Sequence, residues 1–121
     1  MNKLKMTVTT TLLSLSLMSL STYSYGLSFE QIEIEKARIE RANQAALEMG
    51  AGNYSKAIEY AEPVANAPIN EFNQRVISGA QLVLGYSYFA KKNKKKSILW
   101  FQKACKNGNS DSCEVLEKIK K

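Results

Sequence analysis

The feature that most constrains this chain is its rhythm: from Ser28 onward apolar residues recur every three or four positions, broken only by short turn signals at 50–53, 63–70, 91–96 and Gly108. Such spacing lines one face of a helix. No stretch alternates apolar and polar residues between turn signals, so no strand is expected. The predicted fold class is all-α, with five helices joined by short turns.

The first helix is predicted over 28–49, with Ser28 as N-cap, Glu30, Glu33 and Glu35 near the positive end of the helix dipole, and Ile32, Ile39, Ala42, Ala46 and Met49 facing inward. A second is predicted over 54–62, with Ala57, Ile58 and Ala61 on one face. Pro63 lacks an N–H for Glu59 and its ring crowds the preceding turn, so the helix should kink or end there and give way to a loop. The third should begin between Ile69 and Glu71, with Phe72, Val76, Ala80, Val83 and Leu84 repeating helically. Residues 91–96 read as a polar turn. A fourth helix over 95–107 should carry Ile98, Phe101, Ala104 and Cys105 inward and end at Gly108. A fifth, capped by Asn109 or Ser110, should line up Cys113, Leu116 and Ile119 or Lys120.

Residues 1–26 read as a secretory signal peptide cleaved after Gly26: Lys3 and Lys5 lead an uncharged run from Met6 to Leu20, and Ser24 and Gly26 are small. The run is shorter than the roughly 20 residues of a bilayer span. No cysteine near the cleavage point suggests a lipoprotein. Residues 27–121 are then a single α-helical domain, periplasmic or secreted, with no stable membrane insertion after signal cleavage. In an oxidising compartment the only two cysteines, Cys105 and Cys113, are expected to pair, and a small core gains from such a staple.

Catalytic chemistry has little to build on. The chain has no His, so neither a Ser-His-Asp nor a Cys-His arrangement is available, and no Ser is followed three residues later by Lys. The carboxylates of the first helix alternate with Lys and Arg at helical spacings, which describes a solvated, ion-paired face. The expectation is a protein that is not an enzyme and has no catalytic residue, cofactor or metal. The net charge is +6, and its densest feature is Lys91, Lys92, Lys94, Lys95 and Lys96. This run reads as a solvated turn or as a contact for an acidic protein surface or anionic envelope groups. A nucleic-acid partner is not expected, because no aromatic residues interleave with the lysines. Tyr86, Tyr88, Phe89, Trp100 and Phe101 read first as packing, and a few of them could line the groove of the first helices. Gln81 and Tyr86, off the most apolar stripe, are candidate partner contacts.

The string AQLVLGYSY, with Ala80, Leu84, Gly85 and Tyr88, followed by SILWFQKACKNGN, with Ser97, Trp100, Phe101, Ala104 and Gly108, resembles one unit of the Sel-like repeat, a relative of the tetratricopeptide repeat. An earlier stretch, ALEMGAGNYSKAIEYAEPV, has a tetratricopeptide-like turn at Gly52, Tyr54 and Ala57, but carries Gln44 and Ala45 in place of the Leu-Gly pair. The 40 residues from Ala57 to Ser97 exceed the tetratricopeptide period of about 34. The resemblance implies about two helical-hairpin units followed by a C-terminal capping helix. It also implies a disulfide from Cys105, late in one helix, to Cys113, early in the next. A metal site would need more ligands, and redox pairs normally stand only two residues apart.

Function follows the same resemblance. It implies an exported protein–protein interaction module that binds in the groove of its first helices, as a periplasmic adaptor or as an immunity or inhibitor protein for a secreted enzyme. The alternative is a protein that binds or hydrolyses cell-wall fragments or β-lactams. Self-association is a third expectation, since two units expose the ends of a solenoid.

Overall fold

The computed structural model describes residues 27–119; the leader read over 1–26, and Lys120 and Lys121, lie outside the described residues. The described chain forms α1 (Phe29–Gly50), α2 (Tyr54–Ala65), α3 (Gln74–Ala90), α4 (Lys94–Lys106) and α5 (Ser110–Ile119), with no strand among the described residues. Two compact units divide at Lys36. The first contributes the opening turns of α1, where the Ser28 hydroxyl accepts the Gln31 N–H at 3.1 Å and Lys36 pairs with Glu33 at 3.6 Å. Apart from Ile32 and Lys36, the residues that follow belong to the second unit.

Three of its helix joints are built alike. The chain turns at Gly52 (φ +84°), Lys92 (φ +68°) and Gly108 (φ +95°), all in the left-handed region. Each turning residue donates its N–H to the carbonyl three positions back: Met49, Phe89 and Cys105 respectively. The asparagine that follows donates to the carbonyl five back, so Asn53 bonds Glu48, Asn93 bonds Tyr88 and Asn109 bonds Ala104. This paired arrangement satisfies the carbonyls left open at a helix end. The same asparagines start the next helix. Asn93 accepts from the Lys96 N–H at 3.2 Å and Asn109 from that of Ser112 at 2.9 Å. The lysine-rich turn is therefore only three residues long, and Lys94, Lys95 and Lys96 are the first turn of α4.

The joints expose a repeat. A shift of 40 residues carries Asn53 onto Asn93, Ala45 onto Gly85, Ala57 onto Ser97 and Ala61 onto Phe101. In the first hairpin Ala45, Ala57 and Ala61 are wholly buried in one apolar cluster with Val64, Ile77 and Leu84. In the second the contact is reapportioned. A Cβ on Gly85 would stand 2.6 Å from the Phe101 ring, and the Ser97 hydroxyl donates to the Gly85 carbonyl at 2.7 Å. Glycine thus faces a phenyl ring in the second hairpin, where the first has alanine at both 45 and 61. From α2 onward consecutive helices pack: α2 on α3, α3 on α4, and α4 on α5. The fold is an all-α stack of two helical hairpins closed by a capping helix.

Besides the turn read over 91–96, which ends at Asn93, three expectations need correction. The second helix passes through Pro63 to Ala65. The proline falls in the last turn, where the backbone N–H and side-chain amide of Asn66 both bond the Glu62 carbonyl, at 3.1 and 3.0 Å. The third helix begins at Gln74, later than read, because Asn70 and Asn73 lock the preceding turn. Asn70 Oδ1 accepts from Phe72 and Asn73, Asn73 Oδ1 accepts from Asn70, and Asn73 donates to the Pro68 carbonyl. In α1 the buried side centres on Ala45, with Ala42 and Met49 beside it, whereas Ile32, Ile39 and Ala46 are exposed.

Two glycines on α3 should respond oppositely to alanine. Gly85→Ala should lower stability by about 1–3 kcal/mol through overpacking against Phe101. Gly79, with nothing within 4 Å of its would-be Cβ, should gain up to about 1 kcal/mol from helix propensity. Denaturant melts of the two variants check this.

Candidate functional site

Two glutamines on α3, Gln74 and Gln81, reach helix ends that would otherwise be open. Gln81 Nε2 donates to the Ala65 carbonyl at 3.1 Å, at the C-terminus of α2. Its Oε1 accepts from Asn107 Nδ2 at 2.9 Å, and the Asn107 carbonyl accepts from Gln74 Nε2 at 2.9 Å. Carbonyls at a helix C-terminus have no partner within the helix, so these amides supply one. Gln81 is 5% exposed with both ends of its amide engaged, so it is an internal tie and offers no surface to a partner. Outside this tie, Glu71, Gln74, Arg75, Asn107 and Asp111 help line an open polar hollow of ≈ 480 Å³.

Beside the hollow, Cys105 in the last turn of α4 and Cys113 in the first full turn of α5 form a disulfide, with Cα atoms 4.8 Å apart. Ser112 and Leu116 are buried on the same helix. No group of His, Cys, Asp or Glu among the described residues could hold a metal ion.

The residues read as a repeat signature serve turns and packing. Gly52 and Gly108 turn the chain, Ala57, Ala80, Leu84, Gly85, Trp100 and Ala104 are buried, and Tyr54 is half-buried at the start of α2. Tyr88 ties α3 to α2 by donating its hydroxyl to Glu62 Oε2 at 3.1 Å. Lys103 lies 4.5 Å over the Trp100 ring. The hydroxyls of Ser87 and Ser112 are buried without a hydrogen-bond partner.

The surface is unevenly apolar. On α1, Ile39 and Leu47 are exposed, and on α3 so are Tyr86 and Phe89, with Tyr86 edge-on to Phe101 at 5.2 Å. The outer faces of α2 and α4 are polar apart from Leu99. Of the candidate lysines, Lys91 donates to the Ser55 hydroxyl at 2.8 Å and Lys96 lies 5.1 Å from the centre of the Tyr88 ring. Lys92, Lys94 and Lys95 are exposed. Lys91 and Lys56 share a second open hollow of ≈ 420 Å³ with the α1–α2 turn, so the two turns lie side by side.

Sequence reasoning missed the tie through Gln74, Asn107 and Gln81. Its one signal is the seven-residue spacing of the two glutamines within an apolar helix, which places both amides on one side.

Loss of the disulfide should lower stability. Closing a loop of about nine residues constrains the unfolded chain by roughly 2.5 kcal/mol on the chain-entropy account. Reductant, or Cys105→Ser, should depress the melting temperature and speed amide exchange in α5 first. An unchanged melting curve would contradict this.

Tyr88 adds a pH dependence. Burial raises its pKa above the usual 10.0, and the hydrogen bond to Glu62 and that residue's charge act in the same direction. A group whose folded pKa is raised gives stability that is fully present below the unfolded value and is lost as pH rises through the folded one. Stability should therefore fall above about pH 10, less steeply in Tyr88→Phe. Absorbance titration should show one late-ionising tyrosine that this variant lacks.

No family model, no curated protein and no solved structure matches this chain.

Proposed function

We propose that this chain is an exported helical-hairpin repeat protein, of the kind it resembles in the Sel-like and tetratricopeptide families, and that it acts by binding another protein. The observation that carries the reading is the unequal surface of its hairpins. The first helices keep Ile39, Leu47, Tyr86 and Phe89 in solvent, while the outer faces of the second helices are polar apart from Leu99. Exposed apolar side chains grouped on one kind of element mark interaction sites, and tyrosine is among the residues that most often dominate binding energy. The disulfide supports an oxidising compartment, and no described helix is long and apolar enough to cross a membrane. A partner held this way would be a secreted enzyme kept inactive, or a component of an envelope assembly.

The hollow beside Arg75 favours a second reading, in which its guanidinium receives the carboxylate of a cell-wall peptide or a β-lactam. One experiment separates the two. The tagged chain isolated after export is used to capture envelope proteins, beside Ile39→Ser/Tyr86→Ser and Arg75→Gln. The first reading expects one stoichiometric protein that is retained by Arg75→Gln and lost by the double variant. A cell-wall ligand retained by the wild type and lost by Arg75→Gln, with no captured protein, would replace it by the second.

A further inference from the structure

From Phe72 to Ser110 the chain contains no Asp or Glu and eight Lys and Arg, five of them within the six positions 91–96. The fold sets those five at one end of the second hairpin, in the three-residue turn and the first turn of α4. Lys56, beside the neighbouring turn, extends the edge.

Two local preferences oppose this arrangement. The start of a helix carries the positive end of its dipole, where cations are unfavourable, yet α4 opens on Lys94, Lys95 and Lys96 with no acidic residue in its first turn. The left-handed turning position is glycine at the other two joints, but Lys92 here, the only non-glycine residue with positive φ among the described residues. None of the five lysines is ion-paired with a described carboxylate: Lys91 reaches a hydroxyl and Lys96 a ring. Positions that break local rules without an internal gain are expected where function requires them.

The residue type indicates the kind of partner. All five cations are lysine. A planar arginine fork recognises individual carboxylates or phosphates, whereas the ammonium is a compact, strongly hydrated charge. Lysine is also depleted from protein–protein interfaces. Hydrated charges crowded on one edge suit a diffuse negative surface, to which each adds attraction without a fixed geometry. Leu99, 50% exposed, follows Lys95 by one helical turn on the same face and adds a shallow apolar contact.

We propose that the edge formed by the α3–α4 turn and the start of α4 docks on an anionic phospholipid bilayer, as a peripheral contact that spans nothing. The proposal is independent of the protein-binding reading, which rests on Ile39 and Tyr86.

The test is co-sedimentation of the full chain, isolated after export, with vesicles of equal parts phosphatidylglycerol and phosphatidylcholine, and with phosphatidylcholine alone. Lys92→Gln/Lys94→Gln/Lys95→Gln removes three exposed charges that form no side-chain hydrogen bond or ion pair with the described residues. Lys36→Gln/Lys118→Gln/Lys121→Gln removes as many elsewhere. Circular dichroism confirms that both variants fold, and the N-terminal residues common to all three chains cancel in the comparison. Binding to the anionic vesicles should weaken about a hundredfold in the first variant, from roughly fivefold for each lysine near such a surface, and far less in the second. It should also weaken with added salt, and a few-fold in Leu99→Ser. Equal loss in the two triple variants would overturn the proposal, as would failure to prefer anionic vesicles. Salt-sensitive self-association, lost in the first variant and without vesicle binding, would overturn it in favour of a second copy as the partner.

Discussion

The architecture depends on reversing helix direction within three residues. A turn that short leaves no slack, so the helices it joins must touch from their first shared turn, and the facing side chains must be small or matched. The left-handed residue makes the reversal, and the asparagine after it closes one helix and opens the next. Close contact follows at once at Ala57, one turn into α2, and at Ser97, one turn into α4, both wholly buried.

The same constraint explains how one plan accommodates two different cores. Alanine fills the first hairpin at the positions that glycine and phenylalanine divide between them in the second. In the second hairpin the larger phenylalanine is accommodated because the residue facing it has no Cβ. The last joint repeats the geometry but leads to a helix that packs mainly on α4. There burial of Ser112 and Leu116 is supplemented by a covalent bond from α4.

The helices were legible because their apolar spacing is local, and so was the pairing of Cys105 with Cys113. The boundaries that failed were set by side chains whose partners the local pattern does not mark. Asn66 completes a helix that Pro63 was expected to stop, and Asn70 with Asn73 delays the start of the next. The inner face of α1 was misplaced because bulky isoleucines outweighed Ala45 in the apolar pattern, although close approach selects the smaller residue. Gln81 looked like a surface residue for a related reason: a polar side chain in an apolar run reads as outward unless its partners, Ala65 and Asn107, are known. Tyr86 is exposed as the sequence suggested, but the turn read over 91–96 stops at Asn93, whose cap draws Lys94, Lys95 and Lys96 into α4.

The amide ladder from Asn107 through Gln81 to Ala65, buried at Gln81, also bears on alignment. Apolar faces rich in alanine and leucine offer similar burial when one helix slides past another by a turn, so apolar contact alone leaves several arrangements close in energy. The ladder's donors and acceptors meet in only one of them, and a slipped arrangement would leave a buried amide and a helix-end carbonyl without partners. What the ladder adds is uniqueness of register, in a core whose greasy contacts supply cohesion but little sense of position.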